Sequence, residues 1–239
     1  MNLHGRGPQS HGLLRDTAPR RTVAFACPAA GHQGPAWKDD EHEVTRWCRL
    51  VEESFAVPAA PGDLLLAVPE SLPPVEGSVI VHPGAAYPSR RWPADRFARV
   101  ARWAASRGWP VVVTGSASEL ALAEEVRRTA GLPKEAVLAG RTDLTALAAL
   151  VAAARLVVCG DTGMSHLASA FRTPSVVLFG PVAPRLWGPP AGGPHVAIWH
   201  GTPGGDPWGK EVDPALLAIS VEEVVERAAA LTGVTPARG

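Results

Sequence analysis

The chain has 239 residues, 46% of them hydrophobic, which suits one large domain or one domain with part of another. Basic and acidic residues balance at 23 each, so no electrostatic footprint recommends a nucleic-acid partner. No apolar run approaches the length of a membrane span and the start lacks the apolar core of a signal peptide, so a cytoplasmic protein without a transmembrane segment is expected.

Residues 1–21 are polar and rich in glycine and arginine, which predicts a poorly ordered segment. Thr22–Cys27 reads as a short strand. Glu41–Ala56 reads as an amphipathic helix, with Val44, Trp47, Leu50, Val51 and Phe55 at helical spacing. A proline-rich connector with one apolar run, Leu64–Val68, leads to Gly77. From Ser78 the pattern becomes regular. Val79–Val81 is a strand that ends in His82-Pro83-Gly84, and Pro93–Arg107 is a helix begun by proline and ended by Gly108. Pro110–Thr114 is a strand running into Gly115, followed by a helix over Ser118–Thr129. Ala136–Leu138 is a strand, and Asp143 caps a helix through Ala153. Leu156–Cys159 is a strand ending at Gly160-Asp161, with a helix from Met164 to Phe171. Ser175–Phe179 and His195–Trp199 are further strands, and Ser220–Leu231 is a final helix capped by its serine.

Short β-branched runs alternating with amphipathic helices predict an α/β fold with a parallel sheet covered by helices on both faces. Ligands of such sheets sit at the carboxyl ends of the strands. Attention therefore falls on the loops after Val81, Thr114, Cys159 and Phe179. Gly160-Asp161-Thr162-Gly163-Met164-Ser165-His166 is the most telling: glycines allow a sharp turn, and the amides opening the next helix can face an anion. Its bland reading is a helix cap with His166 packed on the sheet. His82-Pro83-Gly84 could be an ordinary tight turn, Arg90 and Arg91 a solvated pair, and Glu119 a plain helix cap. Together, however, they offer amides and guanidiniums for a diphosphate and a carboxylate for a ribose. The G-x-G-x-x-G and G-x-x-x-x-G-K-[ST] signatures are absent, which weakens dehydrogenase and P-loop readings. Cys27, Cys48 and Cys159 are scattered and odd in number, against a disulfide framework or a structural zinc.

His82-Pro83-Gly84, Arg90-Arg91-Trp92-Pro93, Gly115-x-x-x-Glu119, Gly140-Arg141-Thr142-Asp143, Asp161-Thr162-Gly163-x-x-His166 and Pro174-x-x-x-Leu-Phe-Gly-Pro181 occur in an order that resembles glycosyltransferase family 9, the ADP-heptose:lipopolysaccharide heptosyltransferases. The resemblance is dense from Val79 to Pro190 and weaker back to Glu41. It implies a GT-B architecture of two Rossmann-like domains. Residues 22–77 then resemble the last part of an N-terminal acceptor domain plus connector, the rest of that domain being absent, and 78–239 resemble the C-terminal nucleotide-sugar-binding domain. It also implies an inverting, metal-independent transfer with no cofactor. The donor would be an ADP-heptose-like nucleotide-diphosphate sugar, and the acceptor a glycan or a small molecule. By resemblance His82, Pro83, Gly84, Arg90, Gly115, Glu119, Asp161, Thr162, Gly163 and His166 bind the donor. Arg90 stands where the family usually has a lysine that approaches the phosphates. An inverting transfer needs a general base, and the resemblance assigns that role to no residue of this chain. A nucleotide-sugar-binding module without turnover is the alternative reading. A sugar-nucleotide epimerase fits the motif order less well.

Overall fold

The computed structural model describes residues 1–234. They form two compact units, Met1–Asp63 with Arg185–Trp187, and Leu64–Pro184 with the chain from Gly188 onward.

The first unit carries helices α1 (Gln9–Asp16) and α2 (Glu43–Phe55). Helix α1 occupies a stretch expected to be poorly ordered. It is held by His11, a buried side chain whose Nε2 donates to the carbonyl of Phe25 at 2.9 Å. Nδ1 of the same ring therefore accepts from Asn2 Nδ2 at 3.2 Å. The expected strand Thr22–Cys27 is extended but joins no ladder. Its hydrogen bonds go instead to single partners: Asn2 N to Val23 O, Ala26 N to Pro35 O and Cys27 N to His32 O. Phe25 is nevertheless a core residue, edge-on to Trp37 at 5.2 Å and tilted against Trp47 at 5.6 Å, with Leu50 of α2 beneath. The amphipathic α2 begins after His42, whose ring accepts from Val44 N and so supplies the cap. Arg49 on α2 grips both carboxylate oxygens of Glu41, at 2.9 and 2.7 Å.

The second unit is a parallel sheet of β1 (Val79–His82), β2 (Val111–Val113), β3 (Leu156–Gly160), β4 (Ser175–Leu178) and β5 (His195–Ile198), in the order β2-β1-β3-β4-β5. Its helices are α3 (Ala94–Ala105), α4 (Leu120–Ala130), α5 (Leu144–Ala152), α6 (Gly163–Ala170), α8 (Pro214–Ala218) and α9 (Val221–Thr232), while the short α7 (Pro184–Trp187) falls, but for Pro184, in the first unit. The strand runs are largely apolar, with polar residues only at their ends (His82, Ser175 and His195), yet the pleat sorts them into two faces. Val79, Val81, Val111, Val113, Leu156 and Val158 pack with Phe97 of α3, Val126 of α4 and Val224 of α9. Ile80, Val112, Val157, Cys159 and Val177 pack with Leu150 and Val151 of α5 and Met164 and Ala168 of α6. Helices thus cover both faces, as the largely apolar strand runs predict.

The expected strand Ala136–Leu138 is not one. Lys134–Ala136 form a 3-10 turn, and only Val137 bridges to Val113 before the chain bends away at Gly140, which sits at φ +68°. The short turn at Pro88–Arg90 and helices α7 and α8 have no counterpart in the sequence reading. The connector belongs with the sheet from Leu64 onward, and Leu66 N donates to Ala170 O at 3.1 Å. The chain leaves β1 for β2 on one side and returns to β3 on the other. This reversal opens a crevice beyond the carboxyl ends of β1 and β3.

Candidate functional site

A groove of about 630 Å³ lies at that crevice, within the usual range for small-molecule sites. His82 at the end of β1 and Thr114, Gly115, Ser116 and Glu119 after β2 form one wall. Thr142, Asp143, Leu144 and Leu147 line it from the start of α5. Gly163, Met164, His166, Leu167 and Ala170 line it from α6, and Leu66 comes from the connector.

His82 Nδ1 lies 2.9 Å from Thr114 Oγ1. Burial pushes its pKa below the ordinary histidine value, and the nearby Glu119 carboxylate opposes this only in part, so the ring is neutral near pH 7. Glu119 ends a reciprocal cap: its Oε2 accepts from Ser116 N at 2.8 Å and from Ser116 Oγ at 2.9 Å. The same carboxylate lies against Gly84, where a Cβ would come within 2.2 Å of Glu119 Oε1. Gly84 is therefore required for close approach between the loops after β1 and β2. Asp143 caps α5, accepting from Ala146 N at 2.8 Å.

The loop after β3 is built around Asp161, which is buried. Its amide donates to Leu178 O, and its carboxylate and carbonyl are both bound by Arg90. Thr162 stands at the N-cap of α6, but its hydroxyl makes no cap and lies 3.5 Å from Gly160 O. Ser165 Oγ donates to Thr162 O at 2.7 Å and so fixes the first turn from below. The leading amides of α6 are left without a side-chain cap, the condition that suits them to an anion. Nothing lies within 4 Å of a Cβ built on Gly163, so the approach to that helix end is open.

Of the expected donor residues, the structure brings His82, Gly115, Glu119, Gly163 and His166 together on the groove. Pro83, Gly84, Arg90, Asp161 and Thr162 are not on its lining: Gly84 backs Glu119, and Arg90 is engaged with Asp161. Sequence reasoning missed the apolar wall of Leu66, Leu144, Leu147 and Met164. Nothing local in the sequence marks these residues: Leu144 proves to be 75% accessible at the start of α5, which only the structure reveals. Among the described residues no group of three or more His, Cys, Asp and Glu could hold a metal ion, and no helix is long and apolar enough to cross a membrane. The three cysteines are free, and burial drives the Cys159 thiol far above its ordinary pKa.

The family model of glycosyltransferase family 9 (heptosyltransferase) matches residues 9–203, which extends the sequence resemblance from Glu41 back to α1. Lipooligosaccharide heptosyltransferase 2 of Haemophilus influenzae is 36% identical over 113 residues, 45% of this chain and 32% of that protein. The aligned segment thus spans about a third of that curated relative's length. The solved structure of the Escherichia coli ADP-heptose LPS heptosyltransferase II is 30% identical with a TM-score of 0.58, covering 68% of this chain and 48% of that one. A family 9 glycosyl transferase from Veillonella parvula matches with a TM-score of 0.75 at 21% identity over 97% of this chain and 72% of its own, a likeness of fold. With the family model matching residues 9–203, most of its length, the chain belongs to glycosyltransferase family 9.

Proposed function

We propose that the groove binds the nucleoside diphosphate of an activated sugar, of the ADP-heptose kind, and that the protein transfers the sugar to a glycan or small-molecule acceptor with inversion and without a metal ion. The observation that carries this reading is the uncapped, sterically open start of α6 at the reversal point of the sheet order. Its amides would take the phosphates and stabilise the charge that develops on the leaving diphosphate. Glu119 would accept from ribose hydroxyls beside His82, and the apolar wall of Leu66, Leu144, Leu147 and Met164 would flank the base. The name of the E. coli relative, an ADP-heptose transferase, favours adenine as that base.

Titration with ADP, UDP and GDP, each with and without magnesium, tests the site. Saturable ADP binding that is independent of magnesium and is lost in Gly163→Leu supports it. A Cβ at this position meets no atom within 4 Å, so the substitution is expected to obstruct the phosphate approach without a clash at its root, and an unchanged melting temperature of the variant checks that it folds. Undisturbed binding in that variant sinks the reading. A second reading, a nucleotide-sugar-binding module without turnover, is favoured by the state of the groove carboxylates: Glu119 and Asp143 are both occupied as caps, and neither is poised as a base. Release or transfer of sugar from a labelled ADP-sugar separates the two.

A further inference from the structure

The loop between β5 and α8 contains Asp206-Pro207-Trp208-Gly209, the composition of a tight turn: a carboxylate that bonds its own backbone two residues on, a proline that presets φ, and a glycine in fourth place. The turn forms accordingly. Asp206 Oδ1 accepts from Trp208 N at 2.9 Å, and Asp206 O accepts from Gly209 N at 3.2 Å. It is also fixed from outside. Ser89 N donates to Gly209 O at 3.2 Å, and a Cβ on Gly209 would lie 3.2 Å from Ser89 Cβ. Just before the turn, a Cβ on Gly205 would lie 2.6 Å from Pro181 Cα, so the loop rests on the chain that leaves β4. The Trp208 side chain is nevertheless 68% accessible, and among the described residues its indole makes no hydrogen bond or ring contact. A large flat ring thus stands in solvent on a backbone bonded at several points.

Its place along the carboxyl edge gives the ring a use. Glu119 follows β2, His82 ends β1, and α6 starts just beyond β3, with β4 the next strand in the sheet order. The turn Pro88–Arg90 runs from the end of β3 to the end of β4: a Cβ on Gly160 would lie 3.2 Å from Arg90 O, and one on Gly180 would lie 3.2 Å from Ser89 O. The chain is therefore continuous from the loop that opens α6, through Arg90 and Ser89, to the Trp208 turn. Neighbouring strands are about 4.8 Å apart, close to the step from a diphosphate to the ring that it carries. A nucleotide sugar with its ribose at Glu119 and its phosphates at the α6 amides carries its sugar toward β4 and Trp208.

We infer that Trp208 is a specificity-determining residue that stacks on the sugar ring of the donor. The inference rests on the reading of the groove as a nucleotide-diphosphate site. One face of a sugar ring is a layer of C–H groups, which the negative face of an indole attracts, and a ring already held in place loses little freedom on binding. Asp206 and Lys210, exposed on either side of the ring, offer an acceptor and a donor to sugar hydroxyls. A protein partner would need a wider apolar patch. From His200 to Val212, Pro203 is the one other exposed apolar side chain.

Calorimetric titration of ADP and of ADP-heptose into the full chain and its variants tests the assignment. Trp208→Ala is expected to weaken ADP-heptose roughly fivefold, the scale of one aromatic stack, and to leave ADP within about twofold because the nucleotide contacts lie elsewhere. Trp208→Phe, which keeps a flat ring, should recover most of the loss, whereas Trp208→Leu should not. If Trp208→Ala does not fold, the emission difference between wild type and Trp208→Phe decides, since ADP-heptose should quench Trp208 and ADP should not. ADP-heptose binding at wild-type strength in Trp208→Ala overturns the inference and leaves the donor site standing. So does equal weakening of ADP and ADP-heptose, which marks a merely structural turn. Loss confined to a glycan acceptor, with ADP-heptose binding intact, also overturns it by making Trp208 an acceptor contact. Failure of the unaltered protein to bind ADP removes both the donor-site reading and the inference.

Discussion

His82 lies with one ring nitrogen on Thr114 and the rest of the ring at the groove, and burial holds it neutral. The unfolded chain takes up this proton as pH falls through about 6.5, whereas the folded chain does so only at lower pH. Between those two values the unfolded state binds more protons, so stability rises with pH there and is lost as pH falls below the ordinary histidine value. His195 contributes with the same sign: burial lowers its pKa first, and the Arg172 cation lowers it further. Thermal unfolding of the wild type is therefore expected to shift downward between about pH 7.5 and about pH 5.5. His82→Asn, whose amide can still bond to Thr114, is expected to show a smaller downward shift. Identical shifts in the two proteins would show that His82 is not titrating across this range.

At the scale of single elements, helix α5 links fold and site because its cap, Asp143, is also a groove residue. Asp143→Ala removes the acceptor for Ala146 N and is expected to cost about 1 kcal/mol in a urea unfolding series. Since that carboxylate is already occupied by the helix, ADP affinity should change little, and a large loss of ADP binding would instead make Asp143 a ligand. Elements of this kind were legible in the sequence because caps and periodicity are local. The strands at Val79, Leu156, Ser175 and His195 fall where β-branched runs between helices predict them. Thr22–Cys27 and Ala136–Leu138 carry the same apolar signal and fail as ladder strands, because a strand also needs a neighbour, and pairing is set by tertiary context. The site divides in the same way. His82, Gly115, Glu119, Gly163 and His166 follow strand ends in sequence and were found there. The leucines of the groove look like any amphipathic face. The engagement of Arg90 by Asp161 joins loops from different strands and is visible only once β1 and β3 are known to be adjacent.

At the scale of the whole molecule, the connector after α2 combines two properties that seldom coincide in a compact protein. It has no helix or strand from Val57 to Ser78, and it exposes large apolar side chains, with Leu65 at 58%, Leu66 at 59%, Val68 at 67% and Leu72 at 88% accessibility. Proteases need an exposed backbone that can be drawn out of hydrogen bonding, and this segment meets that requirement while helices and sheet do not. Thermolysin, which cuts before bulky apolar residues, is expected to cleave first between Ala56 and Leu72. The ligand should divide this region. Leu66 lines the groove and is tied through its amide to Ala170 at the end of α6, whereas Val57 belongs to the other unit and lines no part of it. Saturating ADP is therefore expected to slow cleavage at Leu65 and Leu66 and to leave cleavage at Val57 at its original rate, as read from the masses of the early fragments. Equal protection at both places would indicate a global stabilisation by the ligand. No protection at either would place ADP away from Leu66 and the apolar wall it completes.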